Sequence, residues 1–229
     1  MIASMIGEAL EALDKHTDWI ALNLFLAFIP LALSFWLFRR KTAQERSWLW
    51  WLGCLVFIAF LPNAPYLITD LVHLIRAIQD DYPVGVLMVV LIPIHFFAII
   101  SGLEAYVISL INLGDYLRRQ GASKQFVIRT ELFIHAICTI GVYLGRFLRF
   151  NSWDLVTKPK TLLIESFNSV TAKLPLVIMV VIFISIAVLY WIMKQVTLGV
   201  GLRIRQLCQE REQEKEQEKA QKRNEIDSI

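Results

Sequence analysis

The chain has 229 residues, of which 56% are hydrophobic and 19% are charged, with a mean hydropathy of +0.54 and a formal net charge of +3. A soluble globular chain is usually about 45–50% apolar and about 25% charged, so this composition excludes an ordinary soluble domain. The three cysteines, Cys54, Cys138 and Cys208, form neither a disulfide framework nor a Cys-x-x-Cys site.

The N-terminal third begins with a segment, 1–18, in which acidic residues outnumber basic ones. That charge balance excludes the basic start of a signal peptide. We expect the segment to lie outside the cytoplasm, with a weakly amphipathic stretch at 2–13. Two runs of twenty residues without a charge, 19–38 and 174–193, then predict membrane-spanning helices, because about 20 apolar residues are needed to cross the hydrocarbon core. Pro30 lies inside the first of these runs and should kink it.

A shorter apolar run, 48–61, predicts the second span. It becomes long enough to cross the membrane if its helix begins near Ala43, where residues 42–45 have the spacing of a capping box. Pro62 and Pro65 follow the run directly, and we expect them to stop this helix.

The middle of the chain contains both amphipathic and apolar stretches. Residues 66–79 place apolar side chains on one helical face and polar ones on another, which predicts a helix, capped by Asn63, that lies at the membrane interface or re-enters the bundle edge. The third span is predicted at 84–113 and the fourth at 131–150. The connector 153–173 contains a second amphipathic helix that would lie in the membrane plane.

Basic residues are distributed unevenly between the two sets of connectors. Sixteen fall in 39–47, 114–130 and the C-terminal tail, and six fall on the opposite side. The positive-inside rule places the first set in the cytoplasm and the N-terminus outside. The sequence therefore predicts an all-α, polytopic transmembrane helix bundle of about five spans with one or two interfacial amphipathic helices. Its parts are an extracytoplasmic segment, a bundle and a charged cytoplasmic tail, at 1–18, 19–193 and 194–229.

Two segments carry specific motifs, FLPNAPYLITDLVHL (Phe60–Leu74) and GVYLGRFLRFNSWDL (Gly141–Leu155). They resemble the signature segments of a family of uncharacterised prokaryotic inner-membrane proteins, known only as a domain of unknown function. The similarity covers roughly the second to fourth spans. It implies a membrane protein located in the cell inner membrane, and it supplies no activity, cofactor or catalytic residue.

One helical face of the fourth span is predicted to carry a polar stripe. The stripe consists of His135, Thr139, Val142, Arg146 and Arg149. It should face the bundle or a water-filled cavity, because a charge in lipid costs several kcal/mol. Arg149 is expected to reach the head groups from the helix end. Arg146 lies a turn deeper, so a structural salt bridge or an anion site is expected, with the salt bridge favoured. Gly141 and Gly145 permit another helix to approach closely.

Four further titratable positions fall in predicted helices. Asp70 and His73 share a face and could act as a carboxylate–imidazole pair, but two ligands do not make a metal site, so no metal is predicted. His95 is interpreted as a hydrogen-bonded core residue near a cavity-lining proline kink. Glu104 is the acidic residue deepest in any span, and we predict that it faces His135, the alternative being a protonated carboxyl group that needs no partner.

These observations predict a polar pocket at the extracytoplasmic end of the bundle. Its residues are Asn63, Tyr66, Asp70, His73, Arg146, Arg149, Asn151, Trp153 and Asp154. In one interpretation the protein binds or acts on an anionic lipid or phosphate-bearing molecule, with the arginines holding the anion and Asp70 or His73 as the acid–base group. In the other it is a non-catalytic subunit or assembly factor of a larger membrane complex.

The expected partners are the lipid bilayer and either an anionic lipid or another membrane protein, with no nucleic acid. The sequence contains no motif of the nucleotide-binding, zinc-hydrolase or serine-hydrolase kind. It therefore names neither an enzyme class nor a cofactor.

Overall fold

The structure is a computed structural model that describes residues 2–39, 47–79, 82–150 and 154–227. Within these ranges the chain is all-α, and five helical segments are long and apolar enough to cross a membrane. The five segments are Leu10–Phe38, Trp48–Gln79, Val84–Arg119, Lys124–Phe147 and Lys173–Gln217. The predicted fold class is confirmed.

The first helix, α1 (Ile2–Phe38), joins the N-terminal segment and the first predicted span in one element. Pro30 lies inside it and is buried. Near its N-terminus, Ala12 is buried in a small apolar cluster with Ala77 and Val86. The N-terminal segment therefore contacts the bundle at Ala12.

The second span begins at α2 (Trp48–Phe60) and gains its length at the C-terminal side. Ser47 before it has extended backbone, with φ −63° and ψ 160°, so α2 starts at Trp48. The predicted start near Ala43 and its capping box lie outside the described residues. After α2 the helical path continues through α3 (Asn63–Tyr66), a 3₁₀ turn and α4 (Leu71–Gln79).

The two prolines after α2 interrupt the helix without ending the helical path, which corrects the prediction. Pro62 has helical dihedral angles of −61° and −22°, and its carbonyl accepts the Tyr66 N–H at 3.1 Å. Prolines are tolerated there because the first N–H groups of a helix have no intrahelical partner. Asn63 does not cap the following helix, because it is the first residue of α3 and its side chain donates to the carbonyl of Phe60 at 2.9 Å.

The third span comprises α5 (Val84–Val86), a π-helical turn at Leu87–Leu91 and α6 (Ile92–Arg119). It extends beyond its predicted end at residue 113. Pro93 lies in the first turn of α6, directly after the π-helical turn. The wide turn and the proline interrupt the regular hydrogen-bond ladder at one place, as π-bulges commonly do.

The fourth span, α7 (Lys124–Phe147), starts earlier and ends earlier than the predicted 131–150. It starts at Lys124 because the Ser123 hydroxyl accepts the Phe126 N–H at 3.2 Å and caps the helix. The preceding turn contains Gly121 at φ +85°, a conformation that glycine adopts without steric cost.

The C-terminal part contains α8 (Asp154–Thr157), α9 (Pro159–Thr171) and α10 (Lys173–Asp227). The helix predicted in the connector 153–173 is present as α9. The fifth span and the charged tail form one continuous helix, and the tail side chains between Leu202 and Gln217 are exposed.

The bundle is organised around α6, which packs against both α1 and α10. Two glycines let the short helix α3 enter between α6 and α7. A Cβ at Gly102 would lie 2.7 Å from the Leu67 side chain, and a Cβ at Gly141 would lie 2.7 Å from Cβ of Pro62. The close approach predicted for the Gly141 face is therefore present, and it brings the α3–α4 region against Arg146.

Candidate functional site

The Arg146 side chain lies where α7 meets the turn between α3 and α4. Its guanidinium donates to Nε2 of His73 and to the carbonyl oxygen of Thr69, both at 2.9 Å. Arginine can only donate, so His73 accepts through Nε2. The guanidinium carbon also lies 6.0 Å from the centre of the Tyr66 ring. The inward direction predicted for this residue is confirmed, and two of its N–H groups donate within the fold.

Asp70 supplies the negative charge at this centre. Its Oδ1 lies 3.8 Å from Nη1 of Arg146, which is ion-pair distance and too long for a hydrogen bond. Its Oδ2 accepts from Asn23 at 3.4 Å, and Oδ1 has no hydrogen-bond partner within the described residues. The side chains of Asp70 and Arg146 are 3% and 14% exposed, so the pair is buried. Asp70 is therefore the partner in the salt bridge that was expected for Arg146.

Two histidines surround Trp19 of α1 next to this centre. The Trp19 ring lies 4.5 Å from the His73 ring and 5.7 Å from the His95 ring, measured between centroids. Nδ1 of His95 lies 2.8 Å from the Leu91 carbonyl oxygen, at the end of the π-helical turn. His95 is a buried, hydrogen-bonded core residue, as interpreted from the sequence, and the three rings tie α1 to α4 and α6.

A cavity of about 480 Å³ opens beside the Arg146 centre, between α1, α2, α3, α7 and α9. Most of its wall is apolar. The polar side chains on the wall are Asn23, Asn63, Tyr66, Arg149 and Ser166. A mainly apolar cavity with a few convergent polar groups is the usual form of a ligand site. The predicted residues Asn63, Tyr66 and Arg149 therefore meet at one cavity.

The Arg146 centre and the cavity are neighbours, separated by two side chains. Asn23 lines the cavity and donates to Asp70, and Tyr66 lines the cavity and lies against Arg146. Asp70, His73 and Arg146 do not line the cavity. The structure therefore divides the predicted pocket residues between a polar centre around Arg146 and a neighbouring cavity.

Arg149 is exposed and lies on the cavity wall at the point where the chain turns sharply after α7. Its φ is +58°, the left-handed region that non-glycine residues seldom adopt. The Phe150 N–H and the Leu148 N–H both donate to the Leu144 carbonyl, at 3.1 and 3.2 Å, and close the helix end. Arg149 therefore lies off the helical stripe predicted for it. No ion pair involves its guanidinium within the described residues.

The remaining predicted pocket residues follow α7. Asp154 is buried at the start of α8, where its carboxylate accepts from the Thr157 hydroxyl at 3.1 Å and lies 3.9 Å from Nζ of Lys158. It does not line the cavity. Asn151 and Trp153 lie outside the described residues.

The predicted pair of Glu104 and His135 is not formed. Glu104 accepts from the Thr197 hydroxyl of α10 at 2.8 and 3.0 Å, and Nδ1 of His135 lies 2.7 Å from the Tyr106 hydroxyl. Glu104 and His135 are each hydrogen-bonded to another residue, and their similar depth in the membrane did not indicate which one. Both bonds help to fix the centre of the bundle.

Several residues of these networks were missed from the sequence. Lys194 lies 2.6 Å from Oε1 of Glu131, an ion pair between α10 and α7 that was not predicted because Lys194 was assigned to the tail. Asn23 was also missed. A single amide inside the uncharged run 19–38 was the available signal, since polar groups in spans usually face a partner or a cavity.

The fold and the site define a class: a helical protein with five helices, within the described ranges, that are compatible with a multi-pass membrane protein. Its bundle holds an Asp–Arg–His centre beside a mainly apolar cavity with an arginine on its wall. The sequence pattern of the DUF1361 family, described as a protein of unknown function, matches residues 22–188. The chain belongs to this family. Searches of curated proteins and of solved structures found no match.

Proposed function

We propose that this protein binds an anionic, phosphate-bearing molecule in the cavity beside the Arg146 centre. The observation that carries the proposal is the position of Arg149, a cation without an ion pair in the described residues, on the wall of a mainly apolar cavity of about 480 Å³. Cavities of roughly 300–1,000 Å³ enclose small molecules, and a guanidinium matches the geometry of a phosphate group.

The backbone conformation of Arg149 supports this role. A left-handed conformation costs an L-residue free energy, and such conformations concentrate at functional sites. Glycine would adopt this φ without a steric cost. We therefore infer that arginine is present at this position because of a contact that its side chain makes. Asn23, Asn63 and Ser166 supply neutral hydrogen-bonding groups on the same wall.

Arg146 has a different role in this proposal. It donates to His73 and Thr69 and lies at ion-pair distance from Asp70, so it already has partners within the protein. We assign it to holding α7 against the α3–α4 region, which keeps the cavity wall in place.

The experiment measures thermal stabilisation of the full chain in a neutral maltoside detergent on addition of dodecyl phosphate. At a hundredfold excess over Kd, a ligand stabilises the folded state by about 2.7 kcal/mol. Hydrogen bonds to a charged group are worth about 1.5–3 kcal/mol. Arg149→Gln should therefore weaken binding at least about tenfold.

The matched control is Arg76→Gln, because Arg76 is an exposed arginine that does not line the cavity. It should bind dodecyl phosphate as the natural chain does. Equal binding by Arg149→Gln and the natural chain would refute the assignment of the anion to Arg149.

A second function, as a non-catalytic subunit or assembly factor, is favoured by one observation. The Asp70–Arg146–His73 centre joins the α3–α4 region to α7 by an ion pair and a hydrogen bond, as expected for a structural tie. Native mass spectrometry of the protein extracted from membranes tests this function. A defined hetero-complex that survives Arg149→Gln would favour it over ligand binding.

In the proposed function the protein lies in the cell inner membrane with the cavity toward the outer side. The basic residues of the α6–α7 connector and of the tail support a cytoplasmic position for those regions by the positive-inside rule. Lys160 and Gln120 are both exposed, so a cysteine at either position can react with a thiol reagent that reaches it. In a cysteine-free variant, an impermeant reagent should label Lys160→Cys in intact cells and leave Gln120→Cys, on the cytoplasmic side, unlabelled. The reverse pattern would invert the orientation.

A further inference from the structure

The mouth of the cavity is bordered by apolar side chains of membrane-spanning helices. Leu55 and Ile58 of α2 line the cavity and are 66% and 44% exposed. They belong to an uncharged helix, Trp48–Phe60, that is apolar around its whole circumference. An exposed, uniformly apolar helix is suited to hydrocarbon and not to water. This side of the cavity therefore faces the bilayer.

The helix α9 borders the opposite side of the same cavity. Leu162 and Ser166 face the cavity, whereas Leu163, Ile164 and Phe167 are exposed on the outside. An apolar outer face on a short helix that follows a span is typical of a helix lying at the membrane interface. The cavity thus lies between a spanning helix and an interfacial helix, at the depth where lipid head groups meet acyl chains.

The deep wall of the cavity is also apolar. Ile137, Ile140 and Leu144 of α7 line it, and Leu144 is only 5% exposed. Arg149 follows Leu144 by five residues and lines the same cavity. A cation therefore lies next to an apolar slot, formed by Ile137, Ile140 and Leu144. A free phosphate ion would use the cation and leave the slot without an occupant.

We infer that the ligand is a glycerophospholipid with an anionic phosphate head group, which enters sideways from the bilayer between α2 and α9. Its phosphate contacts Arg149 and one acyl chain lies along the Ile140–Leu144 wall. This inference rests on the proposed function, because it identifies the source and the chemical class of the anion that Arg149 holds.

The test uses the full chain in phosphatidylcholine vesicles that contain a small fraction of phosphatidic acid with a photoactivatable group in its acyl chain. After irradiation, mass spectrometry should locate the label in the peptide that contains Ile140 and Leu144. Unlabelled phosphatidic acid should reduce this labelling at least tenfold. Inorganic phosphate and glycerol 3-phosphate at the same concentration should not.

Two variants separate the head-group and acyl-chain contributions. Arg149→Gln should lower the labelling at Leu144 at least tenfold, and Ala59→Trp should do the same by filling the cavity, since Ala59 lines it. Val188→Trp is the matched control, because Val188 is exposed on a span and lies outside the cavity. The competition on the natural chain needs no variant, so it decides the inference even if Ala59→Trp fails to fold.

The outcomes distinguish the two proposals. Glycerol 3-phosphate or inorganic phosphate could reduce the photolabelling as strongly as unlabelled phosphatidic acid does, and do so only when Arg149 is present. In that case lateral lipid binding is wrong and phosphate binding stands. If a phosphatidylcholine probe labels the Leu144 wall as strongly as the phosphatidic acid probe, and Arg149→Gln changes neither, anion binding itself fails. Absence of label at the wall with both probes overturns the lipid inference.

Discussion

Replacing Arg146 by alanine should destabilise the fold strongly, for a reason specific to its neighbours. The change removes the donors to His73 and Thr69. Among the described residues, the Asp70 carboxylate, 3% exposed, then keeps only the 3.4 Å contact to Asn23. Removing one partner of a buried ion pair costs about 3–5 kcal/mol, because the remaining charge is buried without compensation. We expect Arg146→Ala to lower the free energy of unfolding by that amount.

Asp70→Asn should cost much less, about 1 kcal/mol. The 3.8 Å ion pair is lost, but Arg146 keeps its two 2.9 Å hydrogen bonds to His73 and Thr69. Replacing Arg146 and replacing Asp70 should thus lower the free energy of unfolding by different amounts, because Arg146 makes two further close hydrogen bonds and Asp70 does not.

The assay is thermal unfolding of the purified chain in a neutral detergent, at fixed detergent and lipid content. For a chain of 150–250 residues, 1 kcal/mol shifts Tm by about 2–4 °C, so Arg146→Ala should lower Tm by roughly 6–20 °C. The double variant should be more stable than Arg146→Ala alone, because it no longer contains the uncompensated Asp70 charge.

The control pair is Arg118 and Asp115, which lie 2.6 Å apart but are 55% and 48% exposed. Exposed pairs contribute about 0–1 kcal/mol, so Arg118→Ala should change Tm little. Equal losses for Arg146→Ala and Asp70→Asn, with additive effects in the double variant, would refute the proposed burial of an uncompensated charge.

Three further changes test other parts of the structure by the same thermal assay. Lys194→Met should lower the free energy of unfolding by up to about 3 kcal/mol, because the Glu131 carboxylate loses its ion pair. Adding Glu131→Gln should recover part of this loss, and purely additive losses would contradict the ion pair. Arg149→Gly should be more stable than Arg149→Ala by about 1 kcal/mol because of its positive φ, and the opposite order would contradict that backbone conformation. Gly141→Ala should cost about 1–3 kcal/mol because its Cβ would lie 2.7 Å from Pro62. Gly199→Ala, with open space around it, should cost nothing.

The fold class could be derived from the sequence because hydrophobic length is a local property. Runs such as 19–38 and 174–193 carry the number of apolar residues that a bilayer requires, whatever their neighbours are. The inward direction of Arg146 followed in the same way, since an arginine inside a span must avoid lipid. Gly141 indicated a close approach for the equally local reason that it lacks a Cβ.

Helix ends were less accurately predicted where capping or turn geometry decided them. Ser123 caps α7 several residues before the predicted start, and α3 resumes the helix after Pro62. Both outcomes depend on single hydrogen bonds that compete with the hydrophobic pattern.

Only the tertiary structure decided which polar groups meet. The position of a residue in an apolar run indicates its depth, and the helical period indicates its face on the helix. Neither indicates which neighbouring helix that face contacts. Glu104 and His135 have similar depth, yet α10 supplies the partner of Glu104 and α6 supplies the partner of His135. The order of helices around α6 is set by the sum of many packing contacts, as at the Gly102 and Gly141 crossings, and no single segment encodes it.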